Sequence, residues 1–107
     1  MRVTKVGEVY KASRITGPKH NYLGMVVSLS MPEEMAVVAR TFRDEETVID
    51  ESMLVAAVNA GIDKANHSQA RKLYAQSIEY VCSDTPDYHT YSDLAGAIIA
   101  AAASDFA

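Results

Sequence analysis

Hydrophobic and polar residues alternate between residues 6 and 30, which is the pattern of β-strands with one covered face. The alternation is imperfect over residues 6–15 and more regular over residues 23–30. Gly17 and Pro18 interrupt it between the two runs. We therefore predict a β-hairpin whose polar loop is too long for a two-residue turn.

Residues 31–43 fit two different structures. Pro32 and the two glutamates that follow it are typical of the first turn of a helix, which Ser30 would cap. The β-branched residues of "AVVARTF" favour a third strand instead. The pattern leaves both interpretations open. The acidic run that comes next, "DEETVID", is interpreted as a solvated turn that carries no chemistry.

From Asp50 onward the pattern has the period of a helix. Either Asp50 or Ser52 can cap its first turn. Apolar residues at helical spacing form one face, which consists of Leu54, Val55, Val58, Ile62 and Ala65. We predict an amphipathic helix that ends at residues 66–68.

Residues 71–83 alternate again and predict another strand. The side chains expected to face the core are Tyr74, Gln76, Ile78, Tyr80 and Cys82. A polar loop rich in tyrosine and histidine, "DTPDYHTYSD", follows this strand. Ser92 or Asp93 is expected to cap the last helix, which is apolar nearly all round and must be buried on more than one side.

This order of elements predicts an α+β two-layer sandwich, with two helices on one face of a mixed sheet. A chain of 107 residues with 49% hydrophobic residues forms one domain, residues 1–107, with a modest core. The net charge of −4 argues against a general nucleic-acid binder, because such a protein needs a basic face to displace counterions. A local basic patch remains compatible with it.

The single cysteine, Cys82, excludes an internal disulfide and is interpreted as a buried, inert thiol. The N-terminus lacks the apolar region of a secretion signal. The longest apolar run, residues 94–103, is shorter than a bilayer requires. We therefore expect a soluble cytoplasmic protein with no contact to a membrane.

Three segments follow one another along the chain: "TGPKHNYLGMV", "VAAVNAGIDKA" and residues 78–106. Together they resemble the hairpin loop, a helix and the final strand–loop–helix of domain IV of elongation factor G. The matching positions are Gly17, Lys19, Tyr22, Gly24, Ala57, Val58, Gly61, Ile62, Ala65, Tyr88, His89, Ser92 and Ala97. The resemblance implies a βββαβα order with a mixed four-stranded sheet, as in the second domain of ribosomal protein S5. It also favours a strand within residues 31–43.

The chain departs from this family in three respects. Only a short stub, residues 1–5, precedes the hairpin where the family has another strand. Pro18 and His20 replace family glycines in the first loop, so the loop backbone cannot follow the family conformation closely. No "GxxxxGK" stretch is present to cradle a nucleotide phosphate. The resemblance thus bears on the fold and does not carry the activity with it.

In the family, the hairpin loop and the loop after the last strand lie together at a tip that enters the ribosomal decoding region. The resemblance therefore implies a two-loop binding tip made of Lys19, His20, Asn21, Tyr22, Tyr88, His89 and Tyr91. Tyrosine and histidine can stack, lysine can meet an anion, and asparagine can form hydrogen bonds. The alternative is that the tyrosines cover the end of the sheet while the histidines lie in solvent.

The resulting hypothesis is a small non-catalytic binding module that contacts RNA or a ribosomal site through this tip. A homo-oligomeric protein-interaction module, which uses the alanine-rich C-terminal helix, is the first alternative. An enzyme that uses His20 and His89 with Asp87 or Asp93 is the second. No residues have the spacing of a known metal or cofactor motif, so we predict neither a metal nor a cofactor and assign no catalytic residue.

Overall fold

The alternating first part of the chain forms four strands in the computed structural model, which describes residues 2–16, 19–41 and 45–106. A fifth strand lies between two helices, and a short 3-10 turn follows the second helix. The elements are β1 (Val3–Val6), β2 (Val9–Thr16), β3 (Lys19–Ser28), β4 (Ala36–Arg40), α1 (Glu51–Asn66), β5 (Tyr74–Val81), α2 (Tyr88–Ala103) and the 3-10 turn (Ser104–Phe106).

The strands form one mixed sheet in the order β1-β2-β3-β5-β4. Neighbouring strands are antiparallel except β4 and β5, which run parallel because α1 connects them as a crossover. The two helices pack against each other, and α2 also packs on β2 and β3. The α+β class and the mixed sheet are therefore confirmed. The predicted count of four strands is wrong, since the described residues form a sheet of five.

The unpredicted strand is β1, which the N-terminal stub forms. Val6 pairs with Val9 across a two-residue turn in which Gly7 has a φ of 62°. Within β1 only Val3 is partly buried, so the segment lacks the alternation that marks a covered face. A strand therefore does precede the β2–β3 hairpin, where the sequence predicted only a short stub.

The β2–β3 hairpin is longer than predicted. Its strands pair as far as Thr16 and Lys19, so the polar run that the sequence assigned to a long loop belongs to β3. The prediction of a long loop is wrong because polar side chains occupy both faces at this end of the hairpin, which hides the alternation. Gly17 and Pro18 lie outside the described residues.

Residues 31–43 contribute β4, with Val37 opposite Ile78 of β5. The strand interpretation is thus confirmed for Ala36–Arg40, while residues 42 and 43 lie outside the described part of the chain. As the last strand in the sheet, β4 pairs on one side only.

Helix α1 begins where the sequence predicts. The Asp50 carboxylate accepts a hydrogen bond from the Met53 backbone N–H at 3.2 Å, and Ser52 donates to the same carboxylate at 2.7 Å. At the other end, Asn66 donates to the Leu73 carbonyl at 2.9 Å and accepts from the Leu73 N–H at 3.1 Å. This pair of bonds fixes the end of α1 to the start of β5.

A β-bulge in β5 changes which of its side chains face the core. Val26 pairs with Ser77 but Val27 pairs with Ala75, so Gln76 is the extra residue. An extra residue reverses the alternation, because successive side chains point to opposite faces. Ile78, Tyr80 and Cys82 are buried as predicted. The prediction is wrong for Tyr74 and Gln76, in whose place Leu73 and Ala75 are buried.

Helix α2 begins earlier than predicted. Asp87, rather than Ser92 or Asp93, is its N-cap, since the Asp87 side chain accepts from the Thr90 N–H. Residues 88–93 are therefore helical and not part of a loop. The helix is buried against both α1 and the sheet, as its apolar composition predicts. None of the helices in the described part of the chain is long and apolar enough to cross a bilayer.

Candidate functional site at the hairpin end of the open face

One side of the sheet carries the helices, and we call the other side the open face. Alternate residues of a strand share a face, so the strand register shows which side chains lie on the open face. From β2 across to β4 they include Lys11, Ser13, Tyr22, Glu79 and Arg40. The candidate site lies where the open face meets the end of the β2–β3 hairpin.

Three hydrogen bonds join the start of β3 to the loop between β5 and α2. The Asn21 amide donates to the Thr85 carbonyl at 2.7 Å, and the Thr85 N–H donates to the His20 carbonyl at 3.1 Å. The Tyr22 N–H donates to the Asp84 carboxylate at 2.8 Å. The two segments that the resemblance places at one tip are thus adjacent. Their hydrogen bonds run through residues 84 and 85, and Asn21 also lies near the Tyr91 hydroxyl.

The predicted site residues of β3 have different environments. His20 is exposed, whereas Asn21 is buried and occupied by its bond to the Thr85 carbonyl. Tyr22 is half-buried on the open face. The backbone of Lys19 opens β3, and its side chain lies outside the described part of the structure.

The predicted site residues of α2 take part in the helix layer. The Tyr88 hydroxyl accepts from the Asp50 N–H at 2.9 Å at the start of α1. Tyr91 is fully buried, and burial raises the pKa of its hydroxyl to about 12. The Asn21 side chain lies near that hydroxyl and acts to lower its pKa, but among the described residues no hydrogen bond of good geometry reaches it. Both tyrosines therefore have structural roles.

His89 is exposed and lies apart from His20. Its Nε2 atom is 3.7 Å from the Asp93 carboxylate, which Arg14 also approaches at 3.6 Å. His20 and His89 line different cavities, one at the open face and one between the helices. The two histidines are thus not brought together in one site.

A cavity of about 430 Å³ lies between the hairpin end and the β5–α2 loop. We call it the acidic cavity, because Glu45 and Asp84 line it together with His20, Ser83 and the exposed Ile15. The Ser83 hydroxyl donates to the Glu45 carboxylate. The cavity combines two carboxylates with an apolar rim.

Asp84 is the buried one of these two acids, whereas Glu45 is exposed. Burial raises the pKa of its carboxyl above the ordinary value, and the nearby Glu45 raises it further. The Tyr22 N–H and His20 act in the opposite direction without offsetting the rise. Among the described residues, no lysine or arginine forms an ion pair with Asp84. The arrangement leaves the ionised form of Asp84 undercompensated, and a bound cation would stabilise it.

The centre of the open face has a different arrangement, which we call the central network. Tyr22 donates its hydroxyl to one oxygen of Glu79, and Arg40 donates to the other at 3.0 and 2.8 Å. The side chains cross above Gly24, where an added Cβ would lie 2.6 Å from Glu79 Cγ and 2.7 Å from the Tyr22 hydroxyl. Glycine at this position therefore makes room for the network.

Glu45 and Asp84 are the site residues that sequence reasoning missed. Glu45 belongs to the acidic run that was interpreted as a turn without chemistry. Asp84 belongs to the second polar segment, in which the tyrosines and His89 were the predicted site residues. Asp84 directly follows the strand predicted over residues 71–83, and this position could have indicated that its carboxylate lies at the end of the sheet. No local sequence pattern indicates that Glu45 belongs to the site, because the residues with which it lines the cavity are distant in the sequence.

In the described ranges, no three histidine, cysteine, aspartate or glutamate side chains form a group that could hold a metal ion. No protein-family model matches the chain, and no curated protein matches it either.

Proposed function

We propose that this chain is a small non-catalytic binding module whose partner is a basic segment of another protein. A lysine or arginine of that segment enters the acidic cavity, while an apolar neighbour packs on Ile15. The observation that carries the proposal is the pair of carboxylates, Glu45 and Asp84, in one cavity, with no lysine or arginine of the described residues in an ion pair with either.

The electrostatics favour a cation over a phosphate at this position. A phosphate would add a further negative charge beside Asp84 and Glu45 and would increase the repulsion that already raises the pKa of Asp84. A guanidinium or ammonium group would reduce that repulsion and could donate to both carboxylates. A basic protein segment is therefore better supported than RNA as the partner at the hairpin end.

We also propose that the fold is the one implied by the resemblance to domain IV of elongation factor G. Support comes from the βββαβα order of β2 to α2, from the strand β1 before the hairpin, and from the bonds between β3 and the β5–α2 loop. Under this proposal the acidic cavity takes the place of the two-loop tip as the region that contacts the partner.

The oligomer alternative has less support. The large apolar side chains of α2, Leu94, Ile98 and Ile99, are buried within the subunit. Ala100 and Ala101 are the residues that α2 exposes near its end. Alanines alone supply little apolar area to an interface.

The test is a calorimetric titration with a synthetic hexa-arginine peptide at pH 7. The double substitution Asp84→Asn with Glu45→Gln removes both charges but keeps acceptors for the Tyr22 N–H and the Ser83 hydroxyl. We expect the dissociation constant to rise about tenfold, since charge-assisted hydrogen bonds contribute roughly 1.5–3 kcal/mol.

A matched control has the same net charge but leaves the cavity intact. Glu33→Gln with Asp63→Asn changes two exposed acids elsewhere and should alter peptide affinity by less than about twofold. Equal weakening in both double variants would show only general attraction between opposite charges and would overturn the proposal. Binding of single-stranded uridine RNA, with none of the peptide, would instead favour the RNA hypothesis.

A further inference from the structure

We propose that the open face carries a second site, which binds a phosphate group. The site is a cavity of about 340 Å³ over β1 and β2, and we call it the basic cavity. The side chains that line it and can donate to an anion are Arg2, Thr4, Lys11 and Ser13, and Tyr22, whose hydroxyl donates to Glu79, forms a wall. This proposal concerns a different ligand from that of the acidic cavity and does not depend on it.

Strand pairing explains why these side chains meet. Thr4 lies opposite Lys11 in the β1–β2 pair, and Ser13 lies opposite Tyr22 in the β2–β3 pair. Lys11 and Ser13 are two residues apart on β2, so both point to the same side of the sheet. Arg2 precedes β1 and lines the same cavity. The available donors therefore come from β1, β2 and the residue before β1, and they converge on one region beside Tyr22 of β3.

The two cations of the basic cavity have no acidic partner among the described residues. Other basic residues of the sheet do have one, since Lys5 pairs with Asp105 and Arg40 pairs with Glu79. Neither Arg2 nor Lys11 forms an ion pair with any acid in the described ranges. This end of the open face therefore has a local positive charge, although the whole chain carries a net charge of −4.

The central network keeps Lys11 available. Glu79 is the acid that Lys11 influences, but Tyr22 and Arg40 already donate to both of its carboxylate oxygens. Since Arg40 balances the charge of Glu79, the Lys11 ammonium retains its donors for a ligand. Arg2, which pairs with no acid of the described residues, adds guanidinium donors to the same cavity.

The donor set suits a phosphate group. A guanidinium, an ammonium and the hydroxyls of Thr4 and Ser13 can donate from several directions to the tetrahedrally arranged oxygens of phosphate. Tyr22 is a wall shared by the basic and the acidic cavity. A phosphate held near Lys11 is thus placed to one side of Tyr22, with Asp84 and Glu45 in the cavity on its other side.

The test is an amide chemical-shift titration of the full chain with inorganic phosphate, at constant ionic strength set with sodium chloride. We expect saturable shifts at Thr4, Lys11 and Ser13. Arg2→Gln with Lys11→Gln should weaken the phosphate affinity about tenfold, because it removes both cations. The control Lys64→Gln with Lys72→Gln has the same net charge and should leave the affinity unchanged within about twofold.

Two outcomes would overturn the site: shifts that do not saturate, or equal effects of the two double variants. Phosphoserine that shifts the same amides identifies a phosphate monoester as the ligand, whereas shifts with inorganic phosphate alone identify the free ion. Asp84→Asn with Glu45→Gln should leave phosphate binding intact. Loss of arginine-peptide binding and loss of phosphate binding are therefore separate results, so either proposal can fail without the other.

Discussion

Two carboxylates contact Tyr22 of β3 but differ in whether the protein supplies them with a cation: Glu79 in the central network and Asp84 in the acidic cavity. Tyr22 contacts both, through its hydroxyl to Glu79 and through its backbone N–H to Asp84. Arg40 compensates the charge of Glu79, but no arginine or lysine among the described residues pairs with Asp84. A carboxylate supplied with a cation by the protein itself stabilises the fold, whereas one without a cation is available to a ligand.

The pKa values of the two groups express the same difference. Burial raises the pKa of Glu79, but hydrogen bonds from Tyr22 and Arg40 and the charge of Arg40 outweigh it, so the pKa lies below the ordinary value. Burial also raises the pKa of Asp84, and there the opposing contributions do not outweigh it. Folding therefore favours the ionised form of Glu79 and the protonated form of Asp84.

Removal of each carboxylate should have the largest and most different effects on the free energy of unfolding. Glu79→Ala should lower the free energy of unfolding by about 1–2 kcal/mol, because the Tyr22 hydroxyl loses its acceptor. Asp84→Asn should change it little or raise it, since the amide oxygen still accepts from the Tyr22 N–H and the buried charge is gone. Urea unfolding of both variants measures the difference. A larger loss for Asp84→Asn would reverse the assignment of structural and binding roles.

A second prediction concerns the space above Gly24. Gly24→Ala should cost about 1 kcal/mol, because its Cβ would collide with Glu79 and the Tyr22 hydroxyl and force the network apart. Gly24 has an ordinary φ, so backbone strain does not add to this effect. The same substitution in the Glu79→Ala background should cost less, since one of the two colliding side chains is absent and no longer holds the Tyr22 hydroxyl in place. Additive losses in the thermal unfolding of the double variant would contradict this explanation.

A third prediction concerns the pH dependence of stability. The contribution of Glu79 is present above the ordinary pKa of a glutamate and is lost as the pH falls through its lowered value in the folded state. Asp84 behaves in the opposite way: its raised pKa makes the folded state lose stability as the pH rises from about 4.

Unfolding free energies between pH 3 and pH 7 separate these two effects. The deficit of Glu79→Gln relative to the native chain should shrink as the pH falls. Any advantage of Asp84→Asn should disappear in the same direction. Parallel curves for the native chain and Asp84→Asn would show that Asp84 has the same pKa in the folded and unfolded states.

The parts of the molecule that the sequence predicts are those fixed by neighbouring residues. The cap at Asp50 and the apolar face of α1 depend on local spacing, and both agree with the structure. The bulge at Gln76 depends on how β5 pairs with β3, which no local pattern records. The start of α2 at Tyr88 was missed because Asp87, Ser92 and Asp93 are all suitable caps.

The candidate site was predictable only in part. The sequence indicated the hairpin end and the segment after β5, and the structure joins them through the bonds of Asn21 and Tyr22. Its chemistry was not predictable, because Glu45 reaches the cavity from a separate connection and the acids matter only once they lie together. Of the three residues expected to stack, Tyr91 is buried by the helix and Tyr88 is partly buried, while His89 is exposed.

The smallest expected effect distinguishes the acidic cavity from the tip first inferred from the sequence. His20→Ala should change the free energy of unfolding by less than about 0.5 kcal/mol, because the side chain is exposed. It removes a neighbour that lowers the pKa of Asp84, so that pKa should rise slightly. At pH 7 the affinity of His20→Ala for hexa-arginine should still differ from that of the native chain by less than about twofold. The control Ile15→Gln should also change this affinity by less than about twofold, because hexa-arginine has no apolar residue to pack on Ile15. A tenfold loss of affinity on His20→Ala alone would make the histidine, rather than the two carboxylates, the main contact to the partner.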